Sequence, residues 1–170
     1  MAEPDRPAEV LLALYERALP VVYGYLFDRC RERAIAEDLT SETFLAAARM
    51  VRSQPEDDVT VPWLVGVARH KLADHWRRVA RTERVLVEVA ADNPMLDEPW
   101  DAHVDALRAT EVLGELGAHH RAALTLRYVD GLPVREVATA LGRTEHATEA
   151  LLVRARRAFR QAYEEGEGVA

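Results

Sequence analysis

Residues 132–144 read Leu-Pro-Val-Arg-Glu-Val-Ala-Thr-Ala-Leu-Gly-Arg-Thr. Val134, Val137, Ala138 and Leu141 stand at i, i+3, i+4 and i+7, the spacing that lines one face of an α-helix. Pro133 sits where that helix begins, and a proline is tolerated there because no intrahelical bond needs its missing N–H. Gly142 can take the positive φ of a sharp interhelical turn. Thr144 is a good cap for a following helix, and Glu145 in its first turn suits the helix dipole. On that next helix Thr148, Leu152, Ala155 and Phe159 make a second inward stripe. The segment Leu132 to Arg160 therefore predicts a helix, a tight turn at Leu141 to Arg143, and a second helix. Glu149, Ala150, Val153, Arg154 and Arg157 are left on its outward or flanking faces. Such a unit presents the N-terminal half of its second helix to base edges when it binds DNA. The same pattern also fits an ordinary helical hairpin with a solvated basic face.

Outward from this stretch, nearly all of the chain carries helical periodicity, and Val, Ile and Thr never alternate as they do in strands. Val10, Leu11, Leu14 and Ala18 form one stripe. Pro20 is expected to end that helix and open the next, which carries Val22, Tyr25, Leu26 and Arg29. Ala36 to Val51 predicts a third helix with Leu39, Phe44 and Ala47 inward. Ser53 to Val59 has the composition of a loop. Thr60 can cap a fourth helix whose apolar face is Trp63, Leu64, Val67, Ala68 and Leu72. Residues 88–105 contain Pro94 and Pro99 and lack a helical stripe until their end, so they are expected to form an extended linker. Leu107, Leu113 and Leu116 start a second helical domain, Gly117 marks a break, and Ala122, Leu124, Leu126 and Val129 make a helix that Gly131 stops. The expected fold is all-α: two small helical domains, 1–87 and 106–163, joined by the acidic linker 88–105 and followed by a tail, 164–170.

The chain has 170 residues, 49% of them hydrophobic, enough for packed cores. It has no apolar run near the roughly 18 residues of a membrane span, so no membrane insertion is expected. Three acids among the first nine residues are wrong for a secretory signal. Cys30 is the only cysteine, which excludes an internal disulfide and suits a cytoplasmic thiol. The net charge of −7 looks unsuited to a polyanion partner, yet its distribution is uneven. Residues 88–105 hold six acids and no base. Residues 69–84 hold Arg69, Lys71, Arg77, Arg78, Arg81 and Arg84 against Asp74 and Glu83, a local charge of +4 on one helical pattern. Two stretches that could touch nucleic acid, separated by an acidic tether, point to a protein that grips DNA at two places.

With those stretches in view, the chain resembles the bacterial extracytoplasmic-function (ECF) sigma factors, promoter-specificity subunits of RNA polymerase. The resemblance rests on Leu-Tyr-Glu-Arg (14–17), Val-Tyr-Gly-Tyr-Leu (22–26), Ala-Glu-Asp-Leu-Thr-Ser-Glu-Thr-Phe-Leu (36–45) and Pro-Trp-Leu-Val-Gly-Val-Ala-Arg-His-Lys-Leu-Ala-Asp-His-Trp-Arg-Arg (62–78). It rests further on Leu-Arg-Tyr-Val-Asp-Gly-Leu (126–132) and on the helix-turn-helix ending Arg-Ala-Arg-Arg (154–157). It covers residues 10–163 in the family's order.

The resemblance implies a role for each matching position. Glu37, Asp38, Leu39, Glu42, Thr43 and Phe44 match the helix that docks on the β′ clamp helices of core polymerase; the β flap is the expected partner of the second domain. Arg69, His70, Asp74, Arg77 and Arg78 match the helix that melts and reads the −10 element, with arginines holding the strand's backbone. Trp63 falls on the inward stripe; Trp76 could be core or a stacking platform. Glu149, Ala150, Val153 and Arg154 would face the −35 element, with Arg154, Arg156 and Arg157 anchoring phosphates. The sequence departs from the family's usual pattern at His70, often Asn, at Ser41, usually Gln, and at Glu149 and Leu151, often Lys or Arg. Thr40 and Ser41 form a candidate phosphorylation pair, against which a small polar substitution at Ser41 is the favoured reading. An anti-sigma factor is the regulator the resemblance implies.

A stand-alone DNA-binding regulator built from residues 106–163 is the competing reading, which the acidic linker and the clamp-like helix disfavour. Catalysis is not expected. The histidines show no ligand spacing with Cys or carboxylates, and no phosphate loop, nucleophile elbow or paired catalytic acids occur. No metal or cofactor is expected either.

Overall fold

The computed structural model describes residues 6–53, 59–86 and 106–166, with the side chains of residues 6–11 and 84–86 left aside. Every regular element among them is helical. In chain order these are α1 (Arg6–Cys30), α2 (Arg33–Ser53), α3 (Val61–Leu86), α4 (Ala106–Glu115), α5 (Ala118–Leu124), α6 (Val134–Leu141) and α7 (Glu145–Glu165). A π-helical turn, Thr125–Val129, continues α5. The chain divides into two compact units, Met1–Leu72 and Ala73–Ala170, so the division falls within α3. The segment expected to be an extended linker lies outside the described residues, as do residues 54–58 of the first loop.

In the first unit, Leu14, Ala18, Val22 and Leu26 of α1 are buried at successive i+4 steps, together with Ala36, Leu39 and Ala47 of α2 and Leu64, Ala68 and Leu72 of α3. That stripe explains a departure from the sequence expectation: Pro20 lies inside one continuous helix and does not divide two. A mid-helix proline costs about 3 kcal/mol. Full burial of Val22 and Leu26 returns about 1.5–3 kcal/mol each, and a broken helix would have carried these side chains out of phase with Leu14 and Ala18. Pro20 itself points to solvent. Arg31, with φ 55°, makes the turn from α1 to α2. The Trp63 N–H donates to Thr60 Oγ1 at 3.3 Å, the cap expected for α3.

The second unit buries Trp76 and Ala80 from the end of α3, Val112, Leu116, Ala122, Leu126, Val137 and Leu141 from α4 to α6, and Thr148, Leu151, Leu152, Ala155 and Phe159 from α7. Gly142 has φ 62° and ψ 42°, the left-handed turn that the sequence required between α6 and α7. The Ala147 N–H donates to Thr144 Oγ1 at 3.2 Å, the expected cap of α7. Two expectations fail here. Leu107 is exposed, outside the core that it was to start, because α4 buries the opposite face through Val112. Val129 is also exposed. The π turn widens the helix, the Asp130 N–H donating to Thr125 O at 2.9 Å, and this shifts Val129 off the face that Ala122 and Leu126 bury. Gly131, at φ 70°, ends the segment as expected.

Candidate nucleic-acid and polymerase interface

The outer face of α2 is acidic. Glu37 and Asp38 are exposed and Glu42 is half-buried. Arg33 Nε donates to Glu37 Oε1 at 2.7 Å. That hydrogen bond, with the attraction of the same carboxylate, holds the Arg33 guanidinium above its ordinary pKa. Glu42 Oε2 lies 3.2 Å from Lys71 Nζ on α3. Leu39 and Thr43, named from the family pattern as docking residues, are buried at 1% and 0% exposure, Leu39 as its inward stripe predicts. Both point into the α1–α2–α3 core, the Thr43 hydroxyl donating to Leu39 O at 2.7 Å, so neither side chain belongs to an accessible docking surface. Phe44 is half-buried, its ring meeting Tyr15 edge-on at a centroid distance of 4.7 Å. Leu45, not named from the sequence, shares the outer face of the acids. It is 57% exposed and lies seven and eight positions beyond Asp38 and Glu37, on their stripe. The signal was present in the helical phase, which places residue 45 outward wherever 39, 43 and 47 point inward. The Thr40 hydroxyl is buried and donates to Ala36 O at 2.6 Å, whereas Ser41 is exposed.

Along α3, four of the five candidate DNA-facing residues lie on one outer side. His70, Asp74, Arg77 and Arg81 follow one another at helical spacing, with Arg78 beside them; His70, Arg78 and Arg81 are exposed, and Asp74 and Arg77 form an ion pair. Arg69 is half-buried and off this side, in helical phase with the buried Ala73, Trp76 and Ala80. Trp76 is 3% exposed and belongs to the core; Trp63 is half-buried. Near the end of α3 the Glu83 carboxylate accepts the Ala118 N–H at 3.0 Å, occupying an unsatisfied donor at the start of α5.

On α7 the phase brings Glu149, Ala150, Val153, Arg154, Arg156 and Arg157 to the accessible side, all exposed or half-buried. Leu151 is buried, so a basic residue at this position has no place in this core. Glu149 stays exposed and acidic, able to accept from cytosine N4 but repelling phosphate. Arg156 Nη1 donates to Tyr128 Oη at 2.8 Å, tying α7 to the π turn. His120 on α5 is half-buried, and burial, helped by the positive charge of Arg154 and opposed by Glu83, holds its imidazole below the ordinary pKa.

Two families match these two parts of the chain, Sigma-70 region 2 over residues 14–82 and Sigma-70, region 4 over residues 106–159. The ECF sigma factor SigL of Mycobacterium tuberculosis is 32% identical over 166 residues, covering 93% of this chain and 91% of its own. The chain belongs to the ECF sigma factors of RNA polymerase. The BldN factor of Streptomyces coelicolor is 34% identical over 155 residues, covering 87% of this chain, which spans 58% of the BldN length. SigM of Bacillus subtilis is 27% identical, with 90% of this chain and 94% of SigM covered. Among solved structures, the sigma factor RpoE of Bartonella quintana, crystallised with the anti-sigma factor NepR, shares the fold, with a TM-score of 0.52 and 19% identity, covering 88% of this chain and 94% of that one. Sigma-70 regions 2 and 4 bind core RNA polymerase and recognise promoters, and ECF sigma factors are transcription initiation factors. No helix among the described residues is long and apolar enough to cross a membrane.

Proposed function

We propose that this chain directs core polymerase to promoters by dividing the work among three helices. The outer face of α2, through Glu37, Asp38, Glu42, Phe44 and Leu45, docks on the β′ clamp helices, where acids attract a basic coiled coil and the apolar residues supply contact area. The α3 residues His70, Asp74, Arg77 and Arg78, with Arg69 beside them, receive the −10 element and hold the backbone of the opened strand. The α7 face reads the −35 element with Glu149, Ala150, Val153 and Arg154, while Arg154, Arg156 and Arg157 neutralise phosphates. Residues 1–87 and 106–163 act as the two promoter-reading domains, with residues 88–105 as their acidic tether and the β flap as partner of the second. The observation that carries this reading is the capped helix-turn-helix with its outward arginines on α7, following an acidic α2 face and a basic α3 stripe in one chain.

In this reading the chain performs no catalysis, needs no cofactor and works in the cytoplasm, where polymerase supplies the chemistry. An anti-sigma factor is its regulator, an assignment that rests on family membership alone. Gel filtration with core polymerase, paired with gel shifts of promoter duplex, tests the proposal. Co-elution with core and a specific shift only in its presence support it. Tight, sequence-specific binding of duplex by the free chain in physiological salt, without polymerase association, would favour a stand-alone regulator.

A further inference from the structure

Tyr128 has no role in the reading above, yet it sits at the edge of the face that α7 offers to DNA. It is 44% exposed, and the polar tip of a tyrosine suits it to a wet interface. Tyr128 follows the buried Leu126 by two positions, which places the two on opposite sides of the helix, and the π turn that holds both is of a kind frequent at functional sites. Its phenolic oxygen accepts a hydrogen bond from Arg156 Nη1 at 2.8 Å, and Arg156 stands three positions after Val153 and two after Arg154 on α7.

We infer that Tyr128 is a positioning residue for promoter binding: it fixes the Arg156 guanidinium toward one backbone phosphate of the −35 duplex and donates its own O–H to that phosphate. The inference rests on the assignment of α7 to the −35 element. Arginine carries a long, flexible stem whose ordering opposes binding. A hydrogen bond to Tyr128 places part of that ordering in the unbound protein. A phenol that accepts from a cation is also a stronger O–H donor, because hydrogen bonds in a chain polarise one another. The pair therefore forms a two-donor clamp for an anionic oxygen, with the guanidinium supplying the charge and the tyrosine the direction.

The two members should differ in the salt dependence of binding. Arg156→Ala removes a phosphate-neutralising charge, so the slope of log affinity against log salt falls by about 0.9. Tyr128→Phe removes no charge and leaves the slope unchanged. The experiment measures closed-complex formation by reconstituted holoenzyme on a promoter duplex found by start-site mapping, using Tyr128→Phe, Arg156→Ala, the double variant and Arg154→Ala at several salt concentrations. Thermal melting of each free chain is measured alongside. The expected result is a loss of about five- to tenfold for Tyr128→Phe with an unchanged slope and melting temperature, and a double variant whose loss falls short of the sum of the two single losses. Full affinity in Tyr128→Phe, or losses that add in the double variant, would overturn the clamp while Arg154→Ala still weakens binding. If neither Arg154→Ala nor Arg156→Ala weakens binding, the −35 assignment of α7 fails and the clamp with it.

Discussion

Glu42 on α2 and Lys71 on α3 form an ion pair at 3.2 Å, each side chain about one-third exposed. The pair joins the helix proposed to dock on polymerase to the helix proposed to open DNA, and it engages one of the three acids on the docking face. Glu37 is engaged differently, by Arg33 of its own helix, in a pair whose side chains are 81% and 53% exposed. Surface pairs of that kind add little to stability. The acids of α2 are therefore not equivalent, although one motif contains them all.

Reversing charge at Glu37 and Asp38 together should leave stability within about 0.5 kcal/mol of the parent. The same change should weaken association with core polymerase by at least about tenfold, since like-charge juxtaposition across an interface costs several kcal/mol. Glu42→Lys should both destabilise the chain and weaken association. Adding Lys71→Glu restores an ion pair of reversed polarity and should recover stability without recovering association. Pull-down with core enzyme and denaturant melts separate the two effects; undiminished binding by a folded triple reversal of Glu37, Asp38 and Glu42 would remove this face from the interface.

The turn between α6 and α7 supplies a stability prediction. Gly142→Ala forces a side chain onto φ 62° and places its Cβ 3.2 Å from the Arg77 guanidinium. A left-handed conformation costs a non-glycine residue roughly 1–2 kcal/mol. Thr144→Ala removes the cap that accepts from Ala147 and should cost about 1 kcal/mol. Urea denaturation of each variant measures these losses, and a neutral Gly142→Ala would contradict the turn geometry.

His120 predicts a direction for pH dependence. Its folded pKa lies below the ordinary value, through burial first and the charge of Arg154 second, with Glu83 acting the other way. Once pH falls below about 6.5, the unfolded chain binds a proton more readily at this site than the folded chain does. The contribution of His120 to stability is thus fully present above that pH and declines as pH falls through the folded pKa. Urea melts between pH 8 and 5 should show a shallower decline for His120→Gln than for the parent; an identical decline would assign the dependence elsewhere.

The two DNA-facing helices should fail at different steps. Arg77→Ala or Arg78→Ala should permit a closed complex and impair opening, whereas Arg154→Ala should weaken duplex docking, each by about 1–3 kcal/mol. A promoter with a pre-melted bubble should rescue the first pair and not the second. Rescue of all or of none would undo the division of labour between α3 and α7.

The features legible in the sequence were those fixed by local chemistry. The Thr60 and Thr144 caps, the left-handed Gly142 and the Thr148–Leu152–Ala155–Phe159 stripe each depend on residues within one or two turns, and all are present in the structure. What stayed hidden depended on packing between elements or on helical phase. Pro20 looked like a break because its cost is local while the burial that outweighs it is not. Val129 went outward because a π turn resets the phase that a 3.6-residue period assumes. At the proposed docking face the burial of Leu39 was legible from its inward stripe, whereas the family motif did not separate the buried Thr43 from the exposed Leu45.

The most direct test is transcription by core polymerase reconstituted with this chain on fragmented DNA of its own genome, followed by mapping of start sites. Transcripts should appear only when the chain is added and start downstream of a shared pair of −10 and −35 sequences. Arg154→Ala should weaken their use. Core polymerase that initiates no differently with the chain than without it would contradict the account.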